Sequence, residues 1–203
     1  GREKGVDECA EKCLQLIVTV LLVFSFLTAL AVDVSAKFLA GHQPEKLGAA
    51  EWHFETEKGA DLIFLGWLTA EREIVGALHI PNALSFLAFS DFNAEVTGLD
   101  EFPVDEQPPL LVHYLFDAMV GVGFALLAMS AIFFLLLLWK KRNELNRWML
   151  RAIVCGAPLA FLGVELGWFY AEVGRQPWMI RGYMRIEEAA TTSPSIVYLF
   201  CVF

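Results

Sequence analysis

Three long apolar runs dominate the chain, each bounded by stretches where charge returns. Positions 14–32 hold nineteen residues without a charged side chain. A helix needs about 20 apolar residues to cross a bilayer, so a first membrane helix is expected there. Positions 110–139 form a second span, whose first third carries His113 and Asp117 ahead of an uncharged run at 121–139. Positions 149–171 form a third, interrupted by Arg151, Pro158 and Glu165. The apolar residues 196–203 read as the start of a fourth span, too short to cross. The expected fold is all-α: a polytopic transmembrane helix bundle with a folded extracytoplasmic loop.

Charge sets the orientation. Positions 140–147 (KKRNELNR) place four basic residues among eight, between the second and third spans. Short basic loops face the cytoplasm. The segment 140–148 is therefore cytoplasmic, as is the amphipathic lead-in of the 1–32 unit, and the segments 33–109 and 172–195 lie outside. The lead-in lacks the pattern of a secretory signal peptide. With only eight apolar residues at its end, the sequence reads as a fragment of a longer chain.

The outer segment 33–109 is far longer than a connection requires, and such loops are usually functional or disordered. It carries Lys37, Lys46, Lys58 and Arg72 against fourteen Asp and Glu residues, and the aromatics Trp52, Phe54, Trp67, Phe86, Phe89 and Phe92. Pro44 suits the first turn of a helix, and one is expected over 44–57. It would place Leu47, Ala50 and Phe54 on one face, with Lys46 and Glu51 just over a turn apart. Positions 77–99 read as a broken, partly interfacial segment punctuated by Pro81. Such a loop fits a site that takes a small amphipathic molecule from the bilayer edge; a decorative ectodomain is the plainer alternative.

Composition narrows the class. Of 203 residues, 57% are hydrophobic and 19% charged, with a mean hydropathy of +0.52. Ordinary soluble domains are about a quarter charged, and disorder requires the opposite balance. A formal charge of -9 argues against nucleic-acid binding, which needs clusters of Lys and Arg. The cysteines Cys9, Cys13, Cys155 and Cys201 show no CxxC spacing and read as packing residues rather than a zinc framework.

Ionisable groups inside a span cost about 2.5–3.5 kcal/mol each and default to functional hypotheses. Glu165 and Glu172 lie seven residues apart on one helical face, with Trp168 between them. The sequence GRQPW follows at 174–178, including Arg175 and Trp178. A carboxylate at membrane depth followed by an arginine suggests a buried anion or metal-porphyrin site; a helix end with snorkelling charges is the bland alternative. In the second span, Met119 precedes Gly121 and Gly123, which would admit a flat group or another helix. Methionine is usually core filler, yet its thioether is also a haem axial ligand. His113 is expected in a surface or hydrogen-bonding role.

Taken together, these segments resemble subunit I of the cytochrome bd-type quinol oxidases. Positions 167–178 (GWFYAEVGRQPW) carry that family's GRQPW signature, with a glutamate two residues before its glycine. Positions 43–56 (QPEKLGAAEWHFET) resemble the start of its quinol-binding loop, and 113–123 (HYLFDAMVGVG) its methionine-bearing helix. The resemblance covers essentially the whole chain. It implies a multi-pass subunit of the bacterial plasma membrane that oxidises quinol at the outer face and reduces dioxygen to water. Charge would separate across the membrane without pumping. The cofactors implied are haem b558, haem b595 and haem d. On this carry-over Met119 is an axial ligand of haem b558 and Glu172 of haem b595. Lys46 and Glu51 assist quinol binding and oxidation, while Glu165, Trp168, Arg175 and Trp178 line the haem b595 and haem d region. The short loop resembles Bacillus-type members, for which menaquinol is the usual donor.

The implied partners are subunit II, a small accessory subunit, membrane lipid and the family's N-terminal helices. Those helices hold the histidines that complete haem ligation, so this segment alone is expected to be inactive. Asp117 stands where some members have arginine two residues before the ligand methionine. The loop entrance AVDVSAKF departs from the family's usual glycines, which suggests an altered turn. A proton- or cation-coupled transporter using Glu165 and Glu172 is the alternative that intramembrane acids allow.

Overall fold

A computed structural model describes residues 2–138 and 147–189. The expected fourth span at 196–203 and most of the basic 140–148 loop lie outside the described residues. Three helices are long and apolar enough to cross a membrane, within α1 (Arg2–His42), α4 (Val112–Leu138) and α5 (Arg147–Val173). α4 packs against both α1 and α5.

The first helix does not end at Val32, so the loop begins about ten residues later than the sequence suggests. Asp33 and Lys37 lie one turn apart and form an ion pair at 2.6 Å, a spacing that supports a helix. The Ser35 hydroxyl donates to the Ala31 carbonyl at 2.9 Å. The helix breaks at Gln43, whose φ of -140° and ψ of 58° are non-helical. Gln43 precedes Pro44, and proline disfavours helical geometry in the residue before it.

The α4–α5 seam is made by small residues on α5. A Cβ at Gly156 would lie 2.8 Å from Met129 Cε, one at Gly163 3.1 Å from Val122 Cγ1, and one at Gly167 3.1 Å from Met119 Sδ. Three α4 side chains thus occupy room that only glycine leaves, the close approach expected between membrane helices. Cys9, Cys13 and Cys155 are free and exposed on their helices rather than packed inside.

Between α1 and α4 the loop is fully folded. It contains α2 (Pro44–Glu51), α3 (Ala83–Phe89) and six short strands: β1 (Glu57–Lys58), β2 (Leu62–Phe64), β3 (Trp67–Leu68), β4 (Ile74–Val75), β5 (Leu78–Ile80) and β6 (Glu95–Val96). They pair antiparallel as β1–β6, β2–β5 and β3–β4. The last two pairs nest into one long hairpin, and β1–β6 ties the loop's ends together. A small core of Ala40, Leu47, Ala60, Leu84, Ala88 and Val96 seats the loop on the end of α1. Within it, the buried Ser85 hydroxyl donates to the Ala94 carbonyl and accepts from Ala60 N–H, both at 2.8 Å. After α5, β7 (Trp178–Ile180) and β8 (Met184–Arg185) form a hairpin that leads into α6 (Ile186–Ala189).

Candidate active site at the loop and helix ends

α2 ends at Glu51 rather than running to 57. Trp52 adopts left-handed geometry (φ 48°, ψ 35°), uncommon for a bulky residue. The reversal sends its indole inward: Trp52 is 1% exposed, and its ring N–H donates to the Leu110 carbonyl at 3.0 Å. Gly98 lies where the returning chain passes; a Cβ there would collide with the Phe54 carbonyl and Glu55. Phe54 therefore lies beyond the helix, under the Arg72 guanidinium, while Leu47 and Ala50 are buried as expected.

Lys46 and Glu51 are both buried. The Lys46 stem lies over Gly174, where a Cβ would come within 2.8 Å of its Cε. Its ammonium donates to the Ala171 carbonyl at 3.3 Å and stands 4.8 Å from the Tyr170 ring centroid. The glycine of GRQPW thus makes room for the lysine of the loop, 128 positions earlier in the chain. Burial, and then the Arg175 charge, lower the Lys46 pKa, with Glu172 opposing them. Burial, and then the Asp117 carboxylate, push Glu51 up to about 8. Its titration is thereby moved from the ordinary carboxylate range toward the range where bases are effective.

Beneath α2, the first turns of α4 carry a second buried group. His113 is completely buried, which overturns the surface part of its expected role and bears out the hydrogen-bonding part. Its Nδ1 lies 2.6 Å from the Ala50 carbonyl, and its ring stacks on Trp52 with centroids 3.8 Å apart. Nε2 lies 3.4 Å from Asp117 Oδ2 without making a hydrogen bond. Asp117 Oδ2 accepts the Leu65 N–H at 2.7 Å.

Toward the outer end of α5, a cleft of about 210 Å³ opens between α2 and the β7–β8 hairpin. Its walls include Glu45, Lys46, Arg175, Trp178 and Arg181. Arg181 binds both Glu45 oxygens, at 2.6 and 2.7 Å, and also donates to the His42 carbonyl. Trp178 lies under the Arg185 guanidinium, 5.2 Å from its ring centroid. Glu172 pairs with Arg175. Glu165 is half-buried and Trp168 exposed on the same face of α5.

Met119 points to Gly167 of α5. At Gly123, one turn along α4, an added Cβ would meet nothing within 4 Å. A thioether beside an open glycine face fits a haem, and so does the half-exposed Glu172 carboxylate with an arginine beside it for an acidic substituent. The structure brings Lys46, Arg175 and Trp178 together around one cleft, with Glu172 paired to Arg175 and Glu51 just over one turn along α2. Met119, Glu165 and Trp168 lie deeper along α4 and α5. Sequence reasoning missed Trp52, Tyr170, Glu45 and Arg181, none of which carries a local signal.

Comparison with known proteins places these features. The family model for cytochrome bd terminal oxidase subunit I matches residues 2–203. The chain is 42% identical over 206 residues to a putative cytochrome bd menaquinol oxidase subunit I of Bacillus subtilis, covering 100% of this chain and 46% of that protein. A cytochrome bd ubiquinol oxidase subunit 1 from the same organism is 28% identical over 179 residues, covering 82% of this chain and 38% of its own length. The bd oxidase structure from Geobacillus thermodenitrificans superposes with a TM-score of 0.86 at 47% identity, covering 95% of this chain and 45% of that one. The chain spans about half the length, or less, of the relatives it matches. It belongs to the cytochrome bd terminal oxidase subunit I family, multi-pass membrane proteins of the bacterial plasma membrane.

Proposed function

We propose that the complete subunit is a quinol:dioxygen oxidoreductase, and that this segment supplies its outer quinol site and two of its haem ligands. Menaquinol is the proposed donor, since the relative named as a menaquinol oxidase is 42% identical and the one named for ubiquinol 28%. When bound, haems b558, b595 and d would supply electron transfer and the reduction of dioxygen to water. Met119 would hold the iron of haem b558 and Glu172 that of haem b595, with Glu165, Trp168, Arg175 and Trp178 lining the region beside Glu172. Subunit II and a small accessory subunit complete the proposed assembly, with lipid around it.

The observation that carries this reading is the burial of Lys46 and Glu51 on one short helix, with Lys46 opening on a cleft beside the GRQPW segment. Lys46 donates to a quinol oxygen and orients the ring. Glu51 accepts a hydroxyl proton: desolvation makes it a stronger base than a solvated carboxylate, and its proton leaves to the acidic outer surface. Protons released there and taken up from the cytoplasm for water formation would separate charge without a pump. A transporter based on Glu165 and Glu172 has no observation in its favour and does not account for Lys46, Met119 and GRQPW occurring together.

The test is a reduced-minus-oxidised spectrum of membranes holding the full-length subunit and its partner, beside Met119→Leu and Glu172→Ala. Loss of the low-spin b signal in the first and a disturbed high-spin b signal in the second are expected. Unchanged b bands in both would sink the ligand assignments, and an intact complex without haem d would sink the oxidase reading.

A further inference from the structure

Two buried side chains of α4 have no role in that chemistry. His113 meets the loop at Ala50 and Trp52, the residues that flank Glu51 on either side. Asp117, one turn further along the helix, meets it again at Leu65, between β2 and β3. These contacts join residues 63 and 52 positions apart. They fix the loop at the Ala50 and Leu65 backbone and at the Trp52 ring, and make no contact with the Glu51 carboxyl itself. Packing alone does not account for a histidine here, because its buried Nε2 makes no hydrogen bond and has only the Asp117 carboxylate near it, at 3.4 Å. A buried polar atom left unpaired costs more than an apolar one of like shape.

We infer that His113 and Asp117 are positioning residues for quinol oxidation: from the helix that carries Met119, His113 holds the Ala50 carbonyl and the Trp52 indole on either side of Glu51, and Asp117 holds the loop at Leu65. The inference rests on Glu51 being the quinol base. The imidazole N–H fixes the Ala50 carbonyl, and the ring fixes the Trp52 indole, so Glu51 is held at a set height above α4. Asp117 pins the hairpin that covers this junction. Its carboxylate from α4 is also the charge that, after burial, raises Glu51. Tyr170 of α5 lies within electrostatic reach of Glu51 as well. A displacement of about 1 Å in a reacting group costs on the order of 100-fold in rate, so a loosened clamp lowers turnover more than binding.

The experiment uses the complete oxidase in membranes with menadiol as donor, and rates expressed per haem. His113→Leu, His113→Asn, Asp117→Asn and Glu51→Gln are compared. His113→Leu is expected to lower kcat at least about tenfold, with KM changed less than threefold and the haem spectrum intact. The Asn amide can replace Nδ1–H toward the Ala50 carbonyl, so His113→Asn recovers most of the rate. Asp117→Asn moves the alkaline inflection of the rate profile below its wild-type position. Wild-type turnover in His113→Leu, no recovery in His113→Asn, or an unmoved inflection in Asp117→Asn would each overturn the inference. If His113→Leu does not assemble with haem, the Asn variants at both positions decide the outcome. Wild-type turnover in Glu51→Gln would instead overturn the quinol assignment beneath it.

Discussion

The end of α2 and the outer face of α5 both carry glutamates that the sequence marks as functional, yet their surroundings differ. Glu51 is enclosed by elements of this chain: the loop above it, and α4 with His113 and Asp117 below. Glu172 is half exposed on α5 and pairs with the neighbouring Arg175. Enclosure pushes Glu51 up to about 8. The first carboxylate is tuned by desolvation and fixed by its backbone; the second keeps access to whatever binds along α5. That contrast suits the roles proposed for them, since a base benefits from a raised pKa while a metal ligand must remain reachable.

The largest effect expected on this contrast comes from Trp52→Ala. Truncating a fully buried aromatic costs about 3–5 kcal/mol, and here it also removes the indole bond to Leu110 and the stacking on His113. The loop should open, and a protease added to outward-facing membranes should cut near the 69–73 turn much faster than in the wild type. Arg175→Gln, on the open face, should leave that cleavage rate nearly unchanged. Equal cleavage in both variants would mean that the enclosed site owes nothing to Trp52.

Next in size is the pH dependence of Glu51. Below about 8 the group carries a proton and cannot accept one, so kcat/KM for a quinol should rise with pH and level off above that point. Glu51→Gln should be slow and lack the inflection. The effect on stability has the opposite sign. A carboxyl raised in the folded state favours folding at pH below its unfolded value near 4.5, and that contribution is lost as pH rises through 8. Protease resistance of the loop should therefore decline with pH in the wild type and stay flatter in Glu51→Gln. A flat rate profile in the wild type would remove Glu51 from the role of base.

A smaller change is expected from Gly174→Ala. The added methyl would sit 2.8 Å from Lys46 Cε and equally close to the Tyr170 carbonyl. The lysine stem can move, whereas the backbone oxygen yields only with the helix end. The ammonium should shift within the cleft, raising KM for quinol several-fold with kcat less affected, as expected when a binding contact is displaced. An unchanged KM would show that Lys46 does not touch the substrate from this position.

The two regions also differ in how much of them could be read from sequence. Lys46, Glu51, Met119 and GRQPW stand out in the sequence through short motifs that resemble the family's, and their proposed roles rest on that resemblance. The three apolar runs were equally legible, since bilayer thickness sets helix length. What stayed hidden depends on pairs far apart in the chain. Nothing near residue 52 announces that its backbone turns left-handed to bury an indole under Leu110. His113 looked like an interfacial residue because its partners, Ala50 and Trp52, come from the loop. The end of α1 was missed for a local reason, as Asp33 and Lys37 looked like a boundary and turned out to be an i,i+4 pair inside the helix.

The least effect is expected at the mouth of the cleft, where Arg181 and Glu45 are 136 positions apart in sequence. Glu45 is nearly buried, but the Arg181 side chain is 49% exposed. Exposed pairs contribute about 0.2–1 kcal/mol; two-oxygen geometry favours the upper part of that range. Glu45→Gln and Arg181→Gln should each slightly speed proteolysis of the loop, and the double variant should be no worse than either alone. That non-additivity is the mark of a direct pair. High salt should weaken the wild type toward the variants, because a half-exposed pair is screened. Salt-insensitive, fully additive effects would mean that each side chain acts separately, with Arg181 working through its contact to the His42 carbonyl at the end of α1.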